Sequence, residues 1–334
     1  MGAIFYEQRA EENQEKRTCL WVFIYILAFI VAFIGGIASK SIPPSWMKDY
    51  SVKWSDKVGT AHKGETFDLY TPAKKEKTYG LVVYLHAGGF TTGDKADDTA
   101  MLQWLCSKGY VAAGINYTLR NEKNPTASVY SQSMEIKERI PQVIEVAKKL
   151  GYPIDKMAIG GGSAGHALAM LYAYRDASTA PVPVKMVFGA VGPSSFYPED
   201  WSNYGLDKNT EESKKAAAGL FGIMAGKTID PSIFGTPQYD EQMKDISALL
   251  WVNKDSVPSL MVYGKHDKVQ PFAASVRLEK ALEKNKVPHD YIVFERSGHG
   301  LQNDDADMYT YYQKLTEYLN KYMPVKWRLL PTGQ

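Results

Sequence analysis

The run Gly160-Gly161-Gly162-Ser163-Ala164-Gly165 constrains this chain more than any other stretch. Before it, the apolar residues Met157-Ala158-Ile159 predict a short strand; after it, Ala164 to Tyr174 predicts a helix. A serine flanked by glycines at such a junction sits on a tight bend. Glycine is needed there because the turn crowds the neighbouring backbone, and the serine hydroxyl is then presented at the sheet edge. The helix N-terminus behind it stabilises developing negative charge. Gly160, Gly162 and Gly165 also fit G-x-G-x-x-G, a dinucleotide fingerprint that wants an acidic residue about 20 positions on, after the next strand. The next predicted strand, Val184 to Val191, ends instead in Gly192-Pro193. A phosphate-binding loop needs lysine after the last glycine, where His166 stands.

The same alternation continues along the chain. Leu81 to Leu85, Tyr110 to Ile115, Leu260 to Tyr263 and Tyr291 to Phe294 are continuous apolar runs, as buried parallel strands tend to be. Thr66 to Tyr70 alternates like an edge strand. Helices are predicted over Ser131 to Leu150, Pro271 to Lys284 and Asp305 to Tyr322, with Pro141 predicting a kink or a later start in the first. The pattern argues for an α/β domain with a mostly parallel sheet covered on both faces. One interval, 194–256, breaks the rhythm. It holds no convincing strand but carries Trp201, Tyr204, Phe221, Met224, Phe234 and Trp251, and it is expected to be an inserted helical cap over the strand ends, with apolar residues such as Trp201 or Phe221 facing a substrate pocket. Hydrophobic residues make up 45% of the 334 and charged residues 23%, enough for one large core. With 39 basic against 37 acidic residues and no basic run, nucleic acid is not an expected partner.

Thr18 to Ser39 contains no charged residue. That is about 22 positions, and roughly 20 cross a bilayer as a helix. Trp21 and Tyr25 lie near one end, Lys16, Arg17 and Lys40 flank the segment, and Pro43 and Pro44 stop it. A cleaved signal peptide would be shorter and lack the acidic tail of Glu7, Glu11, Glu12 and Glu15, although Ala38 and Ser39 offer a poor cleavage site. The expectation is a 1–17 tail, a transmembrane signal anchor over 18–39, a 40–50 linker, a folded domain over 51–326 and a 327–334 tail. Lys16 and Arg17 favour a cytoplasmic tail, which gives a single-pass cell-membrane protein with its catalytic domain outside. Of the two cysteines, Cys19 falls in this segment and Cys106 in the domain, so no internal disulfide is expected.

Three further motifs each follow a predicted strand. In His86-Ala87-Gly88-Gly89-Phe90 the glycines let backbone N–H groups approach a substrate oxygen; one of these and one from Ala164 would make an oxyanion hole. Asp267, in Gly264-Lys265-His266-Asp267, can accept a histidine ring N–H and fix its tautomer. His299, in Ser297-Gly298-His299-Gly300, can reach a nucleophile from a glycine-flanked loop. Each alone is weak; a lone aspartate after a strand is more often a turn former. Together they place Ser163, Asp267 and His299 at strand ends, where open α/β sheets collect their functional groups. Serine needs a neighbouring base to act as a nucleophile, which His299 would supply. No H-E-x-x-H or paired-cysteine pattern suggests a metal, and no cofactor is expected. His62 and His289 read as surface residues, His166 as packed near the site, and His266 as a weaker base than His299.

From about Ser51 to Tyr322 the chain resembles the α/β-hydrolase esterases of the hormone-sensitive-lipase-like group and their feruloyl-esterase-like cousins. The resemblance rests on the four motifs just quoted. It implies the α/β-hydrolase fold and a serine esterase acting on a small-molecule carboxylic ester, with Gly88, Gly89 and Ala164 as oxyanion donors. Two positions depart from the family pattern: Ala87 stands where His-Gly-Gly-Gly has its first glycine, and Gly162 where an acidic residue commonly precedes the serine. A peptidase or acyltransferase could use the same triad; a non-enzymatic binding protein is disfavoured because all three triad residues are present.

Overall fold

The computed structural model describes residues 50–325; the expected membrane span and both expected tails lie outside the described residues. Among the described residues no helix is long and apolar enough to cross a membrane. Among these residues eight strands form one sheet in the order β1-β2-β4-β3-β5-β6-β7-β8. They are β1 Gly59–His62, β2 Phe67–Pro72, β3 Tyr79–Leu85, β4 Val111–Ile115, β5 Ile154–Gly162, β6 Val184–Ala190, β7 Ser259–Gly264 and β8 His289–Phe294. Strand β2 runs antiparallel to both its neighbours, and the other pairings are parallel.

Chain reversal between parallel strands dictates where the helices go. Right-handed crossovers put α1 (Thr99–Ser107), which leads from β3 back to β4, on one face. The helices α2 (Val129–Lys149), α3 (Ala164–Leu171) and α6 (Phe272–Lys284) carry the chain the other way and cover the opposite face. The last of the described helices, α7 (Asp305–Tyr322), returns to the side of α1, where Trp104 meets Tyr312 edge-on at 5.6 Å. Leu81, Val82, Val83, Ile159, Val187 and Met261 are fully buried between these layers, which is why their strands read as unbroken apolar runs.

Some local expectations change. Strand β2 is an interior strand, because the short β1 lies outside it; only Gly59 of β1 is buried, so the sequence shows no apolar run there. Helix α2 starts earlier than expected, at a capping box in which Ser128 and Ser131 each accept the other's backbone N–H. It continues through Pro141, which lies on the exposed side. The 194–256 interval contains no strand. It forms α4 (Glu211–Ala225), α5 (Pro237–Met243) and short helical turns. Trp201 and Phe221, expected to face a substrate pocket, are buried in this insertion's own core. Trp201 stacks on Phe196 at 5.9 Å, and Phe221 meets both rings edge-on at 5.8 and 5.3 Å. Arg277 of α6 fastens the insertion to the sheet layer by a two-pronged pair to Asp200, both distances 2.8 Å.

Candidate active site

Parallel register decides which loops meet. Leu85 pairs with Gly161, Gly162 with Ala190, and Gly264 with Phe294. The segments after β3, β5, β7 and β8 therefore leave the sheet at one edge.

Ser163 sits on the bend between β5 and α3 at φ 49°, ψ −116°, in the left-handed half of backbone space that an L-residue rarely adopts. The bend is possible because Gly161 and Gly165, two residues to either side, lack side chains. A Cβ on Gly161 would lie 2.4 Å from the Gly165 carbonyl carbon, and one on Gly165 only 1.9 Å from the Leu85 carbonyl oxygen. Ala164 opens α3, so its N–H belongs to the group that a helix leaves without an internal acceptor.

His299 Nε2 lies 2.8 Å from Ser163 Oγ, and Nδ1 lies 2.7 Å from Asp267 Oδ2. An ionised carboxylate only accepts, so Nδ1–H donates to Asp267 and neutral Nε2 is left to accept from the serine hydroxyl. The other oxygen of Asp267 takes the backbone N–H groups of Val269 (2.8 Å) and Gln270 (2.9 Å). The carboxylate is buried and held at both ends. The histidine side chain remains 25% exposed, which leaves it open to an incoming substrate.

The end of β3 lies against the elbow, with the Leu85 and His86 carbonyls facing Gly165, and the chain then runs into the Gly88-Gly89 turn. Gly88 has φ 126°, and a Cβ there would lie 1.9 Å from the Thr92 carbonyl oxygen. The Gly88 carbonyl accepts from Thr91 N–H, Thr92 N–H and the Thr92 hydroxyl; that of Phe90 accepts from Arg120 N–H and Gln132 Nε2–H. Fixing these carbonyls orients the loop's remaining N–H groups. A Cβ on Gly162 would come within 3.8 Å of the Ala87 methyl. The two departures from the family pattern thus lie side by side, with room for a methyl on residue 162 at ordinary contact distance.

The remaining histidines divide by burial. His86 is buried and stacked on Tyr117 at 4.2 Å; its Nδ1–H donates to the Ala87 carbonyl, and burial lowers its pKa. It is a strut of the Gly88-Gly89 loop. His166 is fully buried, as expected; it accepts Gly192 N–H at Nδ1, and burial pushes its pKa down to about 3. His62 and His289 are half-buried rather than at the surface; His62 pairs with the Thr71 hydroxyl. His266 is exposed and takes no part in the constellation.

Several positioning contacts carry no sequence signal. Asp304 accepts from Ser297 Oγ–H (2.6 Å), Arg296 N–H (3.1 Å) and Arg296 Nε–H (3.0 Å). Burial works against its charge, yet these hydrogen bonds hold its pKa below the ordinary carboxylate value. One carboxylate therefore ties the start of the His299 loop to its end, and is not spare to replace Asp267. From the insertion, Asn203 Nδ2–H donates to the Asp267 carbonyl (3.1 Å) and Tyr204 O–H to that of Val269 (3.0 Å). Hydrogen bonds between residues so distant in sequence follow no periodicity, so only the fold reveals them.

Comparisons with known proteins bear on the fold and the family. The BD-FAE family model matches residues 67–282, more than half of the chain. A search of curated proteins returns no match. Among solved structures, a truncated carbohydrate esterase from gut microbiota superposes with a TM-score of 0.62 at 18% identity, covering 80% of this chain and 98% of that one. A thermophilic esterase from the planctomycete Thermogutta terrifontis gives 0.61 at 18% identity, covering 87% and 97%. Inhibited esterase B from Lactobacillus rhamnosis gives 0.58 at 19%, covering 87% and 95%. The Thermogutta enzyme has also been solved phosphonylated by sarin. At these identities the structures establish the α/β-hydrolase fold, and the family match goes further: this chain belongs to the BD-FAE family of hormone-sensitive-lipase-like esterases.

Proposed function

We propose that the protein hydrolyses carboxylic esters through an acyl-enzyme formed on Ser163, and that residues 18–39 tether it to the cell membrane with the domain outside. The observation that carries the chemistry is the continuous chain Ser163–His299–Asp267, at 2.8 and 2.7 Å, built from three separate strand ends. His299 Nε2 takes the hydroxyl proton as Ser163 Oγ bonds to the ester carbonyl carbon. Asp267 stabilises the imidazolium that results. The carbonyl oxygen, now anionic, lies against N–H groups of Gly88, Gly89 and Ala164. Collapse breaks the bond to the alcohol, which leaves with the proton from His299. Water then gives a proton to His299 and attacks the acyl carbon, releasing the acid and restoring the serine. That the Thermogutta esterase is phosphonylated by sarin supports a nucleophile of this kind.

The 194–256 insertion is proposed to cover the substrate, since Asn203 and Tyr204 reach the Asp267 loop and leave Tyr204 and Val269 as an exposed apolar rim. A fluorophosphonate probe should label Ser163 alone, and a panel of chromogenic acyl esters of graded length should be turned over. Labelling at another serine, or normal turnover in Ser163→Ala, refutes the mechanism. The anchor is tested separately. Full-length protein should stay with membranes through an alkaline carbonate wash, and recovery in the supernatant with an N-terminus beginning after Ala38 would identify a cleaved leader instead.

A further inference from the structure

Helix α4 lines an open groove of about 600 Å³ that shares no residue with Ser163, His299 or Asp267. The volume suits a small organic ligand. Its charge is one-sided: Arg120, Lys215 and Lys227 line it, and no carboxylate does. The whole chain carries only +2, so the excess is local. Lys227 is already engaged with the Gln242 carbonyl (2.9 Å) and Asp245 (3.2 Å). Arg120 uses one N–H on the Ala127 carbonyl, and among the described residues neither it nor Lys215 has a carboxylate partner. Two cations thus face the groove with donors to spare.

The floor of the groove supplies a second, independent observation. Gly222 is required by packing, because a Cβ there would lie 2.7 Å from the Lys227 carbonyl oxygen. Gly219, one turn earlier in the same helix, has no such reason: a Cβ would meet nothing within 4 Å. Glycine is the poorest helix former after proline, so the fold itself disfavours it there. One turn further on, Ile223 is 49% exposed, a large apolar side chain left in water beside the bare backbone. A flat, uncovered strip next to an exposed aliphatic surface and two unpaired cations describes a cradle for an anion with an apolar body.

We infer that this groove binds an organic carboxylic acid, its carboxylate between Lys215 and Arg120 and its apolar body over Gly219 and Ile223. The source to which this commits is the acid released by the protein's own reaction, and to that extent it rests on the esterase reading above. Hydrolysis converts a neutral ester and water into an alcohol, a carboxylate and a proton, so a cationic groove separates the acid product from substrate by charge. The groove also adjoins the catalytic centre through backbone: Arg120 N–H donates to the Phe90 carbonyl, one residue past Gly89.

The test is calorimetric titration of hexanoate into full-length protein in non-ionic detergent, after fluorophosphonate has blocked Ser163. Saturable binding should persist in the blocked protein. Hexan-1-ol, of the same shape without the charge, should bind at least tenfold more weakly. Lys215→Glu should weaken hexanoate by tenfold or more while leaving turnover of a neutral ester within about twofold. Gly219→Ala should raise the melting temperature and weaken hexanoate, a divergence that a purely structural glycine would not show. Loss of binding on blocking Ser163, or equal affinity in Lys215→Glu, overturns the groove and leaves the esterase reading standing. Hexanoate binding that depends on Lys215, in a chain that neither takes the probe nor cleaves any ester, overturns the esterase reading and its product assignment while the anion site stands.

Discussion

Replacing Gly165 with alanine isolates one contact on which the catalytic geometry depends. The added methyl would sit 1.9 Å from the Leu85 carbonyl oxygen, 2.5 Å from its carbon and 2.7 Å from the His86 carbonyl oxygen. All three are backbone atoms at the end of a central strand, so no side chain can swing away. Ordinary contact begins near 3.4 Å, so α3 and the end of β3 must part by roughly 1–1.5 Å. Overpacking of this kind costs about 1–3 kcal/mol when neighbours can yield, and here they yield poorly, which argues for the upper end. In a domain of this size that is a fall of roughly 6–12 °C in melting temperature. The same displacement separates Ser163 Oγ from His299 Nε2, now 2.8 Å apart. A 1 Å misplacement of a reacting group costs on the order of 10²-fold in rate. Gly162→Ala is the internal control. Its methyl would find only Ala87 Cβ at 3.8 Å and the Tyr84 hydroxyl at 3.9 Å, so turnover should stay within about threefold of the parent. Soluble yield, thermal melting and turnover of a chromogenic butyrate ester would be compared across the three proteins. Parental turnover in Gly165→Ala, or equal damage in Gly162→Ala, would show that the elbow does not depend on this approach of helix to strand.

Ser163→Ala and His299→Ala should each lower turnover by about 10³-fold or more, and the double variant should lose little beyond either single one, as initial-rate measurements would reveal. Asp267→Asn should retain the fold by circular dichroism and yet lose most activity, with no rescue by Asp304, whose oxygens are committed to Arg296 and Ser297. Because burial holds His166 down to about 3, the unfolded chain takes up a proton there below about pH 6.5 and the folded chain does not. Folding stability is therefore lost as pH falls from about 6.5 towards 3, and His166→Gln should show a smaller drop in melting temperature between pH 7 and pH 5 than the parent. Asp98 has the opposite sign: burial, then the neighbouring Asp97, raise its pKa to about 7, so the folded state carries a disfavoured charge above that pH. Asp98→Asn should raise the melting temperature at pH 8 and leave it nearly unchanged at pH 4; equal shifts at both would reject this assignment.

The parts of the site that are legible in the sequence are those that local chemistry compels. Ser163 needs glycines near it for a backbone reason, and β3 and β7 read as apolar runs because both their faces are covered, whereas β8, at the sheet edge, opens with His289-Asp290 and is half-buried up to Phe294. The pattern of apolar runs alone is therefore enough to assign the motifs after those strands to one sheet edge. Strand β1 gives no such signal, being four residues long and largely exposed. The glycines at the end of β5 look like a turn in sequence, yet Gly161 and Gly162 pair with Leu85 and Ala190 in the sheet; close approach of α3 requires Gly161, and the Phe188 ring takes the space a side chain on Gly160 would need. Trp201 and Phe221 suggest a substrate pocket by their size and apolarity, but an inserted segment must first bury apolar surface of its own, and large aromatics do that most effectively. The clamp at Asp304 and the contacts from Asn203 and Tyr204 join positions that only the folded chain brings together.

The clamp at Asp304 also sets the order in which the protein becomes competent during its synthesis. His299 is positioned only when the loop around it is closed, and Asp304, which closes it, is the residue that opens α7. That helix in turn is held at its far end by Tyr110, whose hydroxyl donates to the carbonyls of Leu319 and Met323. Chains emerge from the ribosome N-terminus first, and earlier parts fold while later ones are still unmade. The nucleophile, its elbow and the oxyanion loop all precede this helix, so a nascent chain holds Ser163 without its base in place until the final helix emerges and docks.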